Sequence, residues 1–352
     1  MGSDKVKGLG VLLVLLLVSI AGLVDIPFGR VKDFLLTSLQ GTAPALPEGQ
    51  IGRVKTVSGT VSITRGSQHL PATPGVPVYQ ADVIETGPDG SIGITFVDDS
   101  VFSAGPDSQL ALSEFRFDVN NSKGNMLAEL KKGTLAAVSG EITHSTPGAM
   151  SIKTPSSILG VRGTTFAVEV VHAELYERYV VLPNADGRDG AGAITVSRGS
   201  TATTLDQPYA AAELRDGETT SIAMDAAKAE VIFRQALAAR PALPSHFRLN
   251  FLLDSDQMTS ESAVAYHSVV ADIKKRQIYE VELVGHTDTL ADDAHNNRLS
   301  LDRAAAVRGA LVRDGVDQNA IAILGRGETE PLIRTPRGVG EPRNRRVEIM
   351  VR

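Results

Sequence analysis

The residues of this 352-residue chain that could do chemistry gather toward its C-terminal end. Gly285-His286-Thr287-Asp288 is followed by Asn296, by Leu299-Ser300, by Arg303-Ala304, by Gly325-x-Gly327-Glu328-x-x-Pro331 and by Asn344-Arg345-Arg346-Val347-Glu348. A carboxylate such as Asp288 accepts from an ammonium group, while the planar fork of an arginine takes a carboxylate in two hydrogen bonds. Facing one pocket, Asp288 and Arg303 would suit a zwitterion, an amino-acid head group bearing both charges. The plainer alternative is an internal ion pair, worth less than about 1 kcal/mol when exposed. Arg345 and Arg346 are either a solvated strand end or a second anionic contact, and spacing alone does not choose between them. His286, Asp288, Asp292, Asp293 and His295 carry the donor types of a zinc or manganese site, which keeps a metal-dependent hydrolase as an alternative. Against it, no pair of histidines stands at helical spacing, and 291–295 reads as a polar loop. Serine catalysis lacks a Gly-x-Ser-x-Gly elbow, and the absence of cysteine removes thiol chemistry, disulfides and zinc knuckles. No cofactor is expected.

Rigid elements must hold these residues. Phe247 to Phe251 alternates as a strand, and Thr259 is placed to cap a helix carrying Ala263, Tyr266, Val270 and Ile273. Ile278 to Val284 reads as a second strand, so Asp288 projects from the loop at its end. A second helix carries Ala304, Val307 and Leu311 on its buried stripe and closes at Gly315, with Arg303 in its first turns beside the stripe. Ile321–Leu324 and Val347–Val351 complete a β-α-β-α-β-β mixed sheet over residues 245–352.

With these motifs in this order, residues 245–352 resemble the OmpA-like C-terminal domain, the peptidoglycan-binding module of outer-membrane proteins, Pal-type lipoproteins and flagellar stator proteins. The resemblance implies that Asp288 takes the ammonium and Arg303 the carboxylate of the diaminopimelate residue in the stem peptide, without covalent chemistry. It further implies that Asn296 orients the loop or peptide, that Arg345 or Arg346 adds an anionic contact, and that Thr287 and Leu299 stand at the rim. One departure is Ala291, where the family often has glycine.

From Ile51 to about residue 220 the period is two, as in Ile92-Gly-Ile94-Thr-Phe96 and Phe166-Ala-Val168-Glu-Val170, punctuated by Gly, Pro and Asp turns. This is an all-β region. Within it Gly59–Gly66 and Gly192–Gly199 share a weak repeat, which true duplication or convergent strand composition would equally produce. Thr86–Ser100, Thr154-Pro155 and Gly160-Val161-Arg162-Gly163-Thr164-Thr165-Phe166 resemble the FecR-type periplasmic domain. That family relays signals to a cytoplasmic anti-sigma segment, so a FecR-type signal transducer is a further alternative. Only Met1–Lys7 precede the apolar run here, too few residues to grip a sigma factor. Protein or glycan docking is the expectation that remains, with an unknown envelope protein as partner.

The start of the chain sets the compartment. Two lysines precede Leu9–Val24, an uncharged run that suits a signal peptide or an uncleaved membrane anchor. The expected organisation is an apolar helix at 1–24, a linker at 25–50, the all-β region at 51–220, a helical linker at 221–244 and the α/β region at 245–352. A net charge of -6 without a basic stripe argues against nucleic acid as a partner. Together these imply a non-catalytic protein of the periplasm or envelope of a Gram-negative-type bacterium, membrane-anchored or associated with the outer membrane.

Overall fold

The computed structural model describes residues 49–119, 121–171, 176–185 and 192–352. The expected apolar helix at 1–24 lies outside these residues, and among the described residues no helix is long and apolar enough to cross a membrane.

The β region is two packed sheets. In spatial order the first holds β4 (Pro77–Tyr79), β1 (Gln50–Ser58), β6 (Ser91–Phe96), β7 (Val101–Ala104), β9 (Lys123–Val138), β12 (Thr165–Val171), β13 (Tyr176–Leu182), β16 (Ala211–Arg215) and β17 (Glu218–Ile222). The second holds β3 (Gln68–Pro71), β2 (Val61–Arg65), β5 (Val83–Thr86), β8 (Gln109–Asp118), β9 again, β10 (Met150–Lys153), β11 (Ile158–Arg162), β14 (Ala193–Arg198) and β15 (Thr201–Leu205). Strand β9 belongs to both. Its first part pairs with β8 and β10, its last part with β7 and β12. The change of sheet falls at Gly133, whose φ of 86° suits glycine and whose missing Cβ would lie 2.5 Å from Ser108 Cα.

Alternation along the strands fills the space between the sheets. Ile92, Ile94, Phe96, Phe166 and Val168 are all core, and Phe96 meets Phe102 edge-on with centroids 4.9 Å apart. The weak repeat corresponds to hairpins β2–β3 and β14–β15 at opposite outer edges of the second sheet. Each turns through Gly-Ser, with Gly66 at φ 58° and Gly199 at φ 56°, so shared turn chemistry accounts for the likeness.

Helix α1 is a single short turn (Glu141–Ser145), and α2 runs from Ala226 to Ala238. The sequence predicts a helix from 221, but Thr219–Ile222 continue pairing with β16, and Asp225 caps α2 by accepting from the Lys228 amide at 2.8 Å. Phe233 and Ala236 of α2 pack on the alanine-rich outer face of the first sheet at Ala136, Ala167 and Ala211. Small side chains there let the helix approach closely.

The α/β region runs β18 (Ser245–Asn250), α3 (Ser260–Lys275), β19 (Val281–Gly285), α4 (Asp293–Arg313), β20 (Ile321–Gly325) and β21 (Arg346–Val351). The sheet order is β18-β21-β19-β20, with only β19 and β20 parallel. Ala304, Val307 and Leu311 are fully buried, and Gly315 ends the helix segment at φ 90°.

The described residues of the two regions fall in one compact unit. Glu280 meets Arg53 at 2.9 Å and Lys55 at 3.3 Å, while Arg352 reaches Asp99 at 2.8 Å and Glu282 at 3.0 Å. The Lys55 ammonium also donates to the Arg352 carbonyl at 3.4 Å. Burial pushes Lys55 down to about 8 against the pull of Glu280.

Candidate functional site

Asp288 sits in the loop after β19, at the C-terminal edge of the sheet, and is 5% exposed. Its Oδ2 accepts from Arg345 Nη1 at 2.9 Å and from the Glu341 amide at 3.3 Å. Arg345 is the residue just before β21, and its Nε also donates to the Phe251 carbonyl at 3.4 Å. Arg345 therefore ties the loop after β18 to the loop after β19. Arg346 turns elsewhere. It bonds Glu348 Oε1 at 2.7 Å and the Glu330 carbonyl at 3.1 Å, beside His286. Of the two arginines, Arg345 is the one beside Asp288.

Arg303 is placed differently from the expectation. Helix α4 begins at Asp293, capped by Asp292 accepting from the His295 amide at 2.9 Å, so Arg303 lies mid-helix instead of in its first turns. It is fully buried. Nε donates to the Ser255 carbonyl at 2.9 Å, Nη1 to the His286 carbonyl at 2.9 Å and Nη2 to the Leu252 carbonyl at 3.1 Å, with the guanidinium 5.6 Å over the Phe251 ring. Three of its five N–H groups are thereby used on main-chain carbonyls. Burial pushes its pKa down to about 10, partly offset by the charge of Asp288, so it stays a cation at neutral pH. Arg303 and Asp288 thus sense each other through space, while the direct ion pair belongs to Arg345.

Asn296 is buried in the first turn of α4, donating to the Ala291 carbonyl at 3.1 Å and to Glu328 Oε2 at 2.6 Å. Thr287 is buried, its amide donating to the Gly327 carbonyl at 2.8 Å and its hydroxyl making no hydrogen bond among the described residues. Leu299 is half-buried on α4. The candidate metal donors do not converge. His295 pairs with Asp254 at 2.7 Å, Asp292 caps the helix and Asp293 meets Arg337, and no group of three such residues assembles among the described residues.

Sequence reasoning missed two parts of this arrangement. The carbonyls of Leu252 and Ser255 carry no side-chain signature, so the role of their loop was silent. Glu328, in contrast, lies in the Gly325-x-Gly327-Glu328 motif, whose spacing from Asn296 could have suggested the pair.

The sequence model of the OmpA family matches residues 250–345, within the segment that carries this sheet, its two helices and this cluster. Residues 82–182 match that of the FecR protein family. Among similar proteins, an outer membrane porin F of Pseudomonas fluorescens is 44% identical over 71 residues, 20% of this chain and 22% of that protein. An outer membrane protein A of Bordetella avium is 33% identical over 101 residues, 29% of this chain and 52% of that protein. The OmpA-like domain of FopA1 from Francisella tularensis is 27% identical, covering 31% of this chain and 71% of that one at a TM-score of 0.28. The chain spans 13% to 56% of the length of the curated relatives it matches.

Proposed function

We propose that the chain is a non-catalytic cell-envelope protein that binds peptidoglycan through its α/β region, with the β region presented to a protein or glycan partner. The diaminopimelate residue of the stem peptide is the ligand. Its ammonium goes to Asp288, its carboxylate to the arginines around it, with Asn296 and Thr287 fixing the loop and Leu299 beside it. One observation carries this reading: a nearly buried carboxylate and two cations, Arg345 in contact and Arg303 within its field, meet at one sheet edge inside the OmpA-family segment. In such a setting the charges attract a dipolar ligand more strongly than they would in open water. Relatives named as outer membrane proteins support an envelope location, with a membrane attachment through the N-terminal segment if that is retained.

Cosedimentation with purified diaminopimelate-type sacculi tests it. Asp288→Asn is expected to abolish pelleting and Arg345→Gln to weaken it about tenfold or more, since each leaves its partner buried and unpaired. Arg303→Ala should abolish it too, but that variant strips three carbonyls of their donor and also lowers stability. Undiminished pelleting of folded Asp288→Asn would reject the assignment.

A further inference from the structure

The face of the four-stranded sheet turned away from α3 and α4 looks across a cleft at the β region. The cleft encloses 480 Å³, within the size range of small-ligand sites, and Asp288 takes no part in its walls. Val97, Phe117 and Val119 of the β region form the opposite wall. On the sheet, strand register sets Glu282 opposite Met350 and Val284 opposite Glu348. All four side chains line the cleft. They make a square with carboxylates on one diagonal and apolar side chains on the other, and such a diagonal is about 7–8 Å long.

Each carboxylate has a cation behind it and an oxygen to spare. Glu348 Oε1 accepts from Arg346 Nε at 2.7 Å, and Glu282 Oε2 accepts from Arg352 Nη2 at 3.0 Å, which leaves Glu348 Oε2 and Glu282 Oε1 to accept from a ligand. In both pairs the carboxylate is the exposed member, 48% against 4% and 30% against 8%. Behind Glu348 lies the buried His286, whose ring nitrogens make no hydrogen bond among the described residues and whose Nε2 is 3.8 Å from Glu348 Oε2. Burial keeps that ring neutral at pH 7, and a neutral imidazole always has one acceptor nitrogen. An orphaned acceptor beside a half-exposed carboxylate suits an ammonium group. A monoamine would meet one carboxylate and leave the other. An alkyl chain of about five carbons reaches both and lays its methylenes along Val284 and Met350. We infer that this cleft binds a free linear alkyl diamine, one ammonium at Glu348 and the other at Glu282. The exposed Arg248 stands opposite Glu348 in β18 and competes with the ligand for that carboxylate.

The test is calorimetric titration of the full chain at about pH 7.5 and fixed ionic strength, with 1,5-diaminopentane, n-pentylamine and the peptide Lys-Ala-Lys as probes. A second charge-assisted hydrogen bond predicts that the diamine binds about tenfold or more tightly than the monoamine. Glu348→Gln should bring that ratio toward one. His286→Phe, neutral for neutral at this pH, should weaken the diamine about threefold or more. Arg248→Gln should tighten it about threefold, a gain that no loss of folding could mimic. Equal affinities for the two amines in the parent chain, a ratio unmoved by Glu348→Gln, or no tightening in Arg248→Gln overturns the inference. An unchanged Kd in His286→Phe removes the ammonium from Glu348 and overturns it too. Tighter binding of Lys-Ala-Lys than of the diamine rejects a free diamine in favour of a basic protein segment, and binding of none of the three probes rejects the site.

Discussion

His286 stands two residues before Asp288, 1% exposed, with neither ring nitrogen hydrogen-bonded among the described residues and Glu348 Oε2 3.8 Å from Nε2. Burial, then the charge of Arg346, pushes its pKa from 6.5 down to about 4. The unfolded chain therefore binds this proton first as pH falls. Stability owed to the neutral ring is complete above about 6.5 and is lost as pH drops toward 4, about 2 kcal/mol of it by pH 5. His286→Phe loses no hydrogen bond, so it should match the parent at pH 7.5 and exceed it at pH 5 in urea denaturation; parallel losses in both proteins would count against this account. The residue scale also marks how far the sequence could be read. The motifs single out Asp288 and Arg303, but they do not say which cation touches Asp288. Arg345 wins that contact because the strand end of β21 lies beside the loop after β19, a long-range pairing that no local spacing reports.

At the scale of elements, alternation made most strands legible: Ile92, Ile94 and Phe96 face inward as their period of two requires. Strand β9 did not yield to that logic. It crosses from one sheet to the other at Gly133, so the faces of its two halves are set by different neighbours and no single alternation runs through it. Gly133→Ala is expected to lower stability by more than about 1 kcal/mol, because the φ of 86° strains any Cβ and Ser108 occupies the space. Equal denaturation midpoints for the two proteins would contradict that. Helix α4 was legible in its buried stripe and its end, and missed only at its start, where Asp292 caps a turn of low hydrophobic content. That one unseen cap moved Arg303 from an end, where it would reach solvent, to the middle, where it is enclosed.

On the scale of the whole molecule, the join between the regions is ionic and could not be anticipated, since Arg53 and Glu280 lie more than two hundred positions apart. Glu280→Ala leaves Lys55, itself 6% exposed, without its counter-charge, a loss of about 3 kcal/mol or more at the join. Scanning calorimetry should show one cooperative transition in the parent and two separated ones in Glu280→Ala; a single transition in the variant would mean the regions are coupled by something else. The linker adds to the closeness, for Gly93 lies so near the Ala239 carbonyl that a Cβ there would be 2.2 Å from it. The β region and the α/β region are thus joined by two connections in parallel, the covalent one through α2 and the electrostatic one at Glu280 and Arg352. Acid that neutralises Glu280 and Asp99 is expected to loosen the electrostatic route and leave the covalent one intact.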